Sequence, residues 1–274
     1  MNYLYWNSNK KNNDKYVIDL VIENDIDFLI LAEFPADDVN KLLIKINLNY
    51  SKKMYKLPIL ANNKLVIFST LTVSQFDYLE ESNHVRFLRF TDLDINMKIN
   101  LGMLHFPSKL YNGEDELNMV VIETNNMIDR IDNSDLESKT ILIGDFNMNP
   151  FEKGMLSTSG FHAFPRKIET EKLKRTVLSV EKKMFYNPMW KYLITEDNPI
   201  GSYYYSPNKA YALFWQVFDQ VLLRPEFIPF INFVGLVTST TKYELIAKGK
   251  VPDRSISDHL PVILKLKELS VENG

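Results

Sequence analysis

Lys139-Thr-Ile-Leu-Ile-Gly-Asp-Phe-Asn-Met-Asn-Pro150 is the stretch from which the fold of this 274-residue chain is read. Ile141 to Ile143 form a short apolar run, the pattern of a buried strand. Gly144 is expected to break it, and Pro150 blocks any simple extension. Asp145 and Asn147 then stand two residues apart at the mouth of the strand, where extended geometry points both the same way. Such a pair can grip one small polar object: a water, a metal ion or a phosphate oxygen. On local grounds alone, Asp and Asn after a strand make a turn, with side chains bonded to their own backbone. The rest of the chain decides between the two.

Upstream, Asn2 to Trp6 reads as a strand ending at Asn7. Asp14 to Asn24 has helical spacing, with Val17, Leu20 and Val21 on one face and Asp14 as its cap. Asp27 to Ala32 is a dense apolar run, a buried strand that stops at Glu33 with Pro35 just after. Strand, helix, strand is an α/β opening. Lys41 to Leu48 reads as a further helix, and Lys64–Leu71, Val85–Phe90 and Asn96–Phe106 as strands. In the last of these Met97, Ile99, Leu101 and Met103 share one side, which His105 continues. Asp115 to Ile131 is a long helix leading into the Ile141 strand. Downstream, 151 to 200 is read as irregular, and Tyr203–Tyr205, Val217–Leu223, Phe233–Thr238 and Leu260–Leu266 as strands. A simple alternating parallel sheet does not fit this order. Two packed mixed β-sheets flanked by helices do.

Composition is that of a globular protein, 45% hydrophobic and 24% charged, with enough apolar material for a sizeable core. With 9 Gly and 12 Pro there is no long flexible linker, so a single domain over 1–274 is expected. Cysteine is absent, which excludes disulfides and thiolate metal sites. Met1-Asn-Tyr-Leu-Tyr-Trp6 lacks a basic region followed by an apolar core, so no signal peptide is expected and the cytoplasm is the expected location. The most apolar patch, Tyr211 to Phe218, is far shorter than the roughly 20 residues of a membrane span, and no stable membrane insertion is expected. The net charge of −3 argues mildly against a tightly DNA-bound protein without excluding a local basic face. Richness in Lys, Asn and Ile fits an AT-rich, bacterial genome. Oligomeric state is left open.

The polar residues at the ends of expected strands are Asn7, Glu33, His105, Asp145, Asn147, Asp219, Asp258 and His259. Carboxylates and amides without Cys form a hard, oxygen-rich set suited to Mg²⁺ or Mn²⁺. The two histidines add groups that can donate to a phosphate or move a proton. Asp219 lies inside an apolar strand, where an unpaired carboxylate is expensive, so a partner is expected. Each of these residues has an ordinary structural role open to it when taken alone. It is the set that points to chemistry.

That set resembles the endonuclease/exonuclease/phosphatase superfamily of metal-dependent phosphodiesterases, which includes deoxyribonuclease I-like and exonuclease III-like enzymes. Trp6-Asn7, Ala32-Glu33, Gly144-Asp-Phe-Asn147 and Ser257-Asp-His259 match its dispersed motifs in order. Leu104-His-Phe-Pro-Ser108 and Phe218-Asp-Gln220 resemble its central and late motifs. The resemblance implies a four-layer αββα sandwich with the site at one edge. It implies that Glu33 binds a divalent metal, Mg²⁺ or else Mn²⁺, with Asn7 and Asp258 close by. Asp145 would orient or activate the attacking water, and Asn147 would hold that water or the phosphate. His259, steadied by Asp219, would bind the scissile phosphate or act as base, and His105 would contact the phosphate and help the leaving group.

The first reading is therefore a metal-dependent phosphodiesterase, a nuclease acting on DNA or RNA. The alternatives are a phosphatase or phospholipase C-type enzyme of the same fold, acting on an inositol phosphate or a sphingomyelin-like lipid, and, ranked last, an inert binding module. Arg166 to Lys191 carries eight basic residues against Glu169, Glu171 and Glu181. It reads first as a solvated face, with a phosphate-contact role for Arg166, Lys174 or Arg175 as a minority reading. Phe185–Trp190 and Gly201–Tyr205 supply aromatics that can stack on bases but are read as core. His84 and His162 are read as structural or surface groups.

Overall fold

The computed structural model describes residues 1–59, 64–108, 113–205 and 213–267. The aromatic-rich strand β1 (Asn2–Asn7) is buried along nearly its whole length. In α1 (Asp14–Glu23) Val17, Leu20 and Val21 form the buried stripe. Asp14 is the first helical residue and not the cap, where its charge faces the positive end of the helix. β2 (Phe28–Ala32) is buried throughout, and α2 (Val39–Asn49) buries Val39, Leu42 and Ile46. There follow β3 (Tyr55–Lys56), β4 (Leu65–Ser69), β5 (Asp77–Glu81), β6 (Val85–Asp92) and β7 (Met97–His105). The long α3 (Glu114–Ser134) crosses back so that β8 (Lys139–Asp145) runs parallel to β7.

The region read as irregular is organised by short elements: α4 (Lys153–Leu156), β9 (Ala163–Phe164), α5 (Lys167–Thr170), a hairpin of β10 (Lys174–Val177) and β11 (Val180–Lys183), and β12 (Phe185–Tyr186). Pieces of two to four residues carry too little periodicity to be read from sequence. β3 and β5 also escape that reading. β5 is a charged edge strand, Asp-Tyr-Leu-Glu-Glu, of the kind that protects a sheet edge. Then come β13 (Tyr203–Tyr204), β14 (Trp215–Gln216), β15 (Asp219–Leu223), β16 (Ile231–Leu236) and β17 (Val262–Leu266). Of the apolar patch Tyr211–Phe218, Tyr211 and Ala212 lie outside the described residues, and Leu213 and Phe214 are exposed.

Apart from the β10-β11 hairpin and an antiparallel β13-β14 pair, the strands form two mixed sheets, β16-β17-β1-β2-β4-β3 and β5-β6-β7-β8-β15-β12-β9. They pack face to face. Phe28 stacks on Tyr3 within the first sheet and meets Phe90 of the second, ring centroids 4.9 Å apart. Ile99, Leu101 and Met103 of β7, Ile141 and Ile143 of β8, and Val221 and Leu223 of β15 share this inner core. The opposite faces of the same strands present Leu104, Leu142 and Leu222 to Leu117, Val121, Ile128 and Ile131 of α3. The stripes of α1 and α2 join the core of the first sheet. The architecture is thus the four-layer αββα sandwich that the resemblance implies.

Alternation of side chains now places the polar residues. His105 continues the face of Ile99, Leu101 and Met103. Asp145 continues Ile141 and Ile143, Asp219 precedes Val221 and Leu223, and Asn7 follows Tyr3 and Tyr5. All four project into the seam between the sheets, at one end of it. Register fixes their spacing, with His105 and Asp219 both paired with Asp145 across the backbone ladder. Gly144 does not break β8, which runs through to Asp145. Its role is close approach: a Cβ there would lie 2.0 Å from the Leu104 carbonyl oxygen, and its φ of 156° disfavours a side chain.

Candidate active site

Asp145 and Asn147 do not project in parallel from an extended segment. Asn147 is left-handed (φ 49°), and its N–H donates to Asp145 Oδ1 at 2.8 Å. The turn chemistry and the site chemistry coexist in the same residues. The Asn147 side chain swings to donate to the Phe106 carbonyl at 2.8 Å, tying the ends of β7 and β8 together. Asp145 Oδ2 accepts from Asn7 Nδ2 at 3.2 Å, a bond across the seam from one sheet to the other.

His259 lies just before β17 and reaches the same place. Its Nδ1 is 2.7 Å from Asp219 Oδ2 and 4.0 Å from Asp145 Oδ2, and all three side chains are buried. Burial opposes charge on the imidazole, but Asp219 above all, then Asp145 and Asp258, more than offset it and push its pKa up to about 10. For Asp145, burial and the nearby Asp219 charge raise the carboxyl to about 7, against the favourable charge of His259 and the hydrogen bonds from Asn147 and Asn7. One imidazolium thus serves two buried acids, and Asp145 is the one left poised near neutrality.

Glu33 follows β2, and strict alternation would send it to the other face. A left-handed backbone (φ 53°) re-aims it. Its Oε1 lies 3.7 Å from His105 Nε2 and 3.3 Å from Lys64 Nζ. Burial lowers the His105 pKa to about 4 despite Glu33, so its imidazole is neutral near pH 7. Asp258 is half-buried beside His259 and acts on it through its charge. Among the described residues it makes no hydrogen bond or ion pair with the rest of the set. The structure therefore brings Asn7, Glu33, His105, Asp145, Asn147, Asp219 and His259 to one edge, with Asp258 at its margin.

Several residues support the site; Trp6 and Ser257 belong to the quoted motifs and Tyr203 to the aromatic stretch, while nothing in the sequence singles out Ser202 or Tyr5 as a site residue. Ser202 Oγ accepts from the N–H groups of Phe218 and Asp219, each at 3.0 Å, and so anchors the start of β15. Ser257 Oγ donates to the Asn7 carbonyl at 2.6 Å and accepts from the His259 N–H at 3.1 Å. Trp6 Nε1 donates to the His259 carbonyl at 2.9 Å. The Tyr203 ring lies 4.8 Å from that of His259. Tyr5 is wholly buried, and the Asp145 and Asp219 charges add to burial in holding its hydroxyl protonated. The basic stretch forms a largely exposed hairpin in which Lys174 pairs with Glu181. His162 is buried against Phe164, and His84 lies half-buried beside the ladder.

Among the described residues Asp219 Oδ1 is buried with no hydrogen-bond partner, and Asp145 is driven toward its neutral form. The site is short of positive charge. Its donors are carboxylate and amide oxygens: beside Glu33 and Asn7, the Asp145 and Asp219 carboxylates lie within 4.8 Å of each other and of His259, which as an imidazolium is a counter-charge and not a ligand. Such a set fits a hard divalent cation.

No family model matches the sequence, and no curated protein matches it. Solved structures do match in fold. An endonuclease/exonuclease/phosphatase family protein from Bacteroides thetaiotaomicron has a TM-score of 0.59 at 14% identity, covering 99% of this chain and 98% of its own. A mannosyl-6-phosphatase from the same organism has a TM-score of 0.57 at 12% identity, over 97% and 99%. An AP endonuclease from Archaeoglobus fulgidus has a TM-score of 0.52 at 14% identity, over 97% and 99%. The chain has the fold of endonuclease/exonuclease/phosphatase proteins. No helix among the described residues is long and apolar enough to cross a membrane.

Proposed function

We propose that this protein is a divalent-metal-dependent phosphoester hydrolase whose substrate is a nucleic acid phosphodiester. The observation that carries the reading is the buried pairing of Asp145 with the Asp219–His259 ion pair, an acid poised near neutrality beside an imidazolium. Asp145 takes a proton from the attacking water, since a base with a pKa near the working pH combines the correct protonation state with driving force. Asn7 and the Asn147 N–H, both bonded to that carboxylate, hold it in place. His259 keeps Nδ1 on Asp219 and so has Nε2 free to donate to a phosphoryl oxygen, where charge develops in the transition state. Asn147, with one amide proton on Phe106, has the other for the phosphate or the water. His105, neutral, donates a hydrogen bond on the leaving-group side. Glu33, with Asn7 and Asp258, would hold Mg²⁺ or Mn²⁺, which neutralises charge on the phosphoryl and leaving oxygens.

A phosphatase acting on a small phosphorylated molecule is the second reading. It is favoured by the net charge of −3, because a compact substrate needs no long basic groove. A hydrolysis screen with Mg²⁺ or chelator separates the two. Its substrates are single-stranded and duplex DNA, RNA, inositol polyphosphates, mannose 6-phosphate and sphingomyelin, with Asp145→Ala and Glu33→Gln as controls. Nucleic acid cleavage that chelator and both variants abolish is expected. Release of phosphate or phosphocholine with nucleic acids intact would move the protein to the second reading or to a lipid substrate. Hydrolysis unaffected by Asp145→Ala would overturn the site.

A further inference from the structure

Glu33 also forms part of the wall of a cavity of 710 Å³ beside the site. That volume is within the roughly 300–1,000 Å³ of small-molecule pockets. Phe34, Pro35 and Val39 form an apolar side, while Lys10, Lys56 and Lys64 also line it. Among the described lining residues Glu33 is the one carboxylate, and Lys64 already touches it. Lys10 and Lys56 make no ion pair among the described residues. The placement of Lys10 is built in. Asn7 Oδ1 accepts the Asn9 N–H at 3.0 Å, Asn9 and Lys10 are both left-handed, and the Lys10 N–H donates to the Glu33 carbonyl at 3.1 Å. The backbone turn that carries Lys10 is therefore tied to two residues of the catalytic edge. A chain with an overall negative charge has gathered three lysines, two of them without an ion pair among the described residues, on an apolar-walled recess next to its site.

We propose that this cavity is a substrate subsite for a second phosphate flanking the scissile one, held by Lys10 and Lys56, with the apolar wall taking the nucleoside between them. The inference rests on the phosphoester hydrolase reading and adds to it a preferred substrate unit: a nucleoside bearing two phosphates. Lys64 sets the Glu33 side of the cavity and is left out of the test because it contacts a residue assigned to the metal.

The test compares thymidine 5′-(p-nitrophenyl phosphate) with and without a 3′-phosphate, and the 3′-(p-nitrophenyl phosphate) with and without a 5′-phosphate, in Mg²⁺. Two charge-assisted contacts at a solvent-accessible site are worth roughly tenfold. The second phosphate is expected to lower KM by about that factor in one of the two series, with kcat little changed. A Lys10→Gln/Lys56→Gln variant should lose that preference while hydrolysing the singly phosphorylated ester at the wild-type rate. Lys139→Gln, at the opposite end of β8, should keep it. Retention of the preference by the double variant, or none in wild type, overturns the subsite. Calorimetric titration of thymidine 3′,5′-bisphosphate into chelator-treated protein gives a readout without turnover. Bisphosphate binding that weakens in the double variant, with no hydrolysis of any ester, would overturn the hydrolase reading and leave the subsite standing. Inositol bisphosphate binding as tightly as the nucleoside bisphosphate would overturn the role given to the apolar wall.

Discussion

Asp219→Asn replaces the carboxylate beside His259 by an amide of the same shape. In wild type the two groups are 2.7 Å apart and the imidazole pKa is pushed up to about 10, so at pH 8 His259 is almost wholly protonated. Without the Asp219 charge, a return only to the ordinary imidazole value of about 6.5 leaves roughly 3% protonated at pH 8. If the protonated form is what stabilises the phosphoryl oxygens, kcat/KM falls roughly thirtyfold at pH 8 from this cause alone. At pH 6 about three-quarters remains protonated and the loss from the same cause is only about 1.3-fold. Burial, which opposes the charge, deepens both losses, and Asp145 restrains them. The assay is a pH profile of kcat/KM on bis(p-nitrophenyl) phosphate, with ¹⁵N NMR of the imidazole in chelator reporting the His259 titration directly. The alkaline limb should move from about 10 toward neutrality. A variant whose limb stays in place, or whose loss is equal at pH 6 and pH 8, would refute the role given to the ion pair.

Two further predictions concern stability. Asp145 has a folded pKa of about 7 against an ordinary 3.8, so the folded protein binds its proton more tightly than the unfolded chain and stability falls as pH rises between those values. His259, also raised, contributes stability that is present below the ordinary imidazole range and lost as pH climbs through about 10. In chelator, urea unfolding of wild type from pH 4.5 to 7.5 should show the first decline, and Asp145→Asn should flatten it; parallel curves for the two proteins would contradict the burial cost assigned to Asp145. At the other end of β15, Arg224 Nη2 lies 2.9 Å from Asp132 Oδ2, both buried, with Lys183 at 3.3 Å. Arg224→Met leaves that buried carboxylate to Lys183 and Thr140 alone and should cost about 3 kcal/mol in urea unfolding while leaving kcat of the folded protein unchanged.

Where the sequence alternates cleanly, the structure follows it. Met97 to His105 was legible as one face because the period of two persists for the whole strand, and that face is the inner one. That Asp219 needs a partner was legible because an unpaired carboxylate in an apolar strand is too costly to stand alone, and the resemblance of the motifs points to His259 as that partner. What escaped depends on single dihedral angles or on residues distant in the chain. Glu33 and Asn147 point where they do because each adopts a left-handed backbone, a conformation that no periodicity announces. Ser202 is an ordinary small residue whose hydroxyl binds backbone across a loop, and Ser257, though part of the quoted motif, gives no local sign that its hydroxyl binds the distant Asn7 carbonyl. The short elements of 153–186 take their shape from the neighbours they pack against rather than from local pattern.

The central claim is that this edge hydrolyses phosphodiesters with a divalent metal and with His259 charged. The most direct test is cleavage of end-labelled single-stranded and duplex DNA by wild type in Mg²⁺, by wild type in chelator, and by His259→Asn in Mg²⁺. Cleavage by wild type, silence in chelator, and a loss of at least about a hundredfold in the variant are predicted. Cleavage that survives chelator, or that His259→Asn carries out at the wild-type rate, would contradict it.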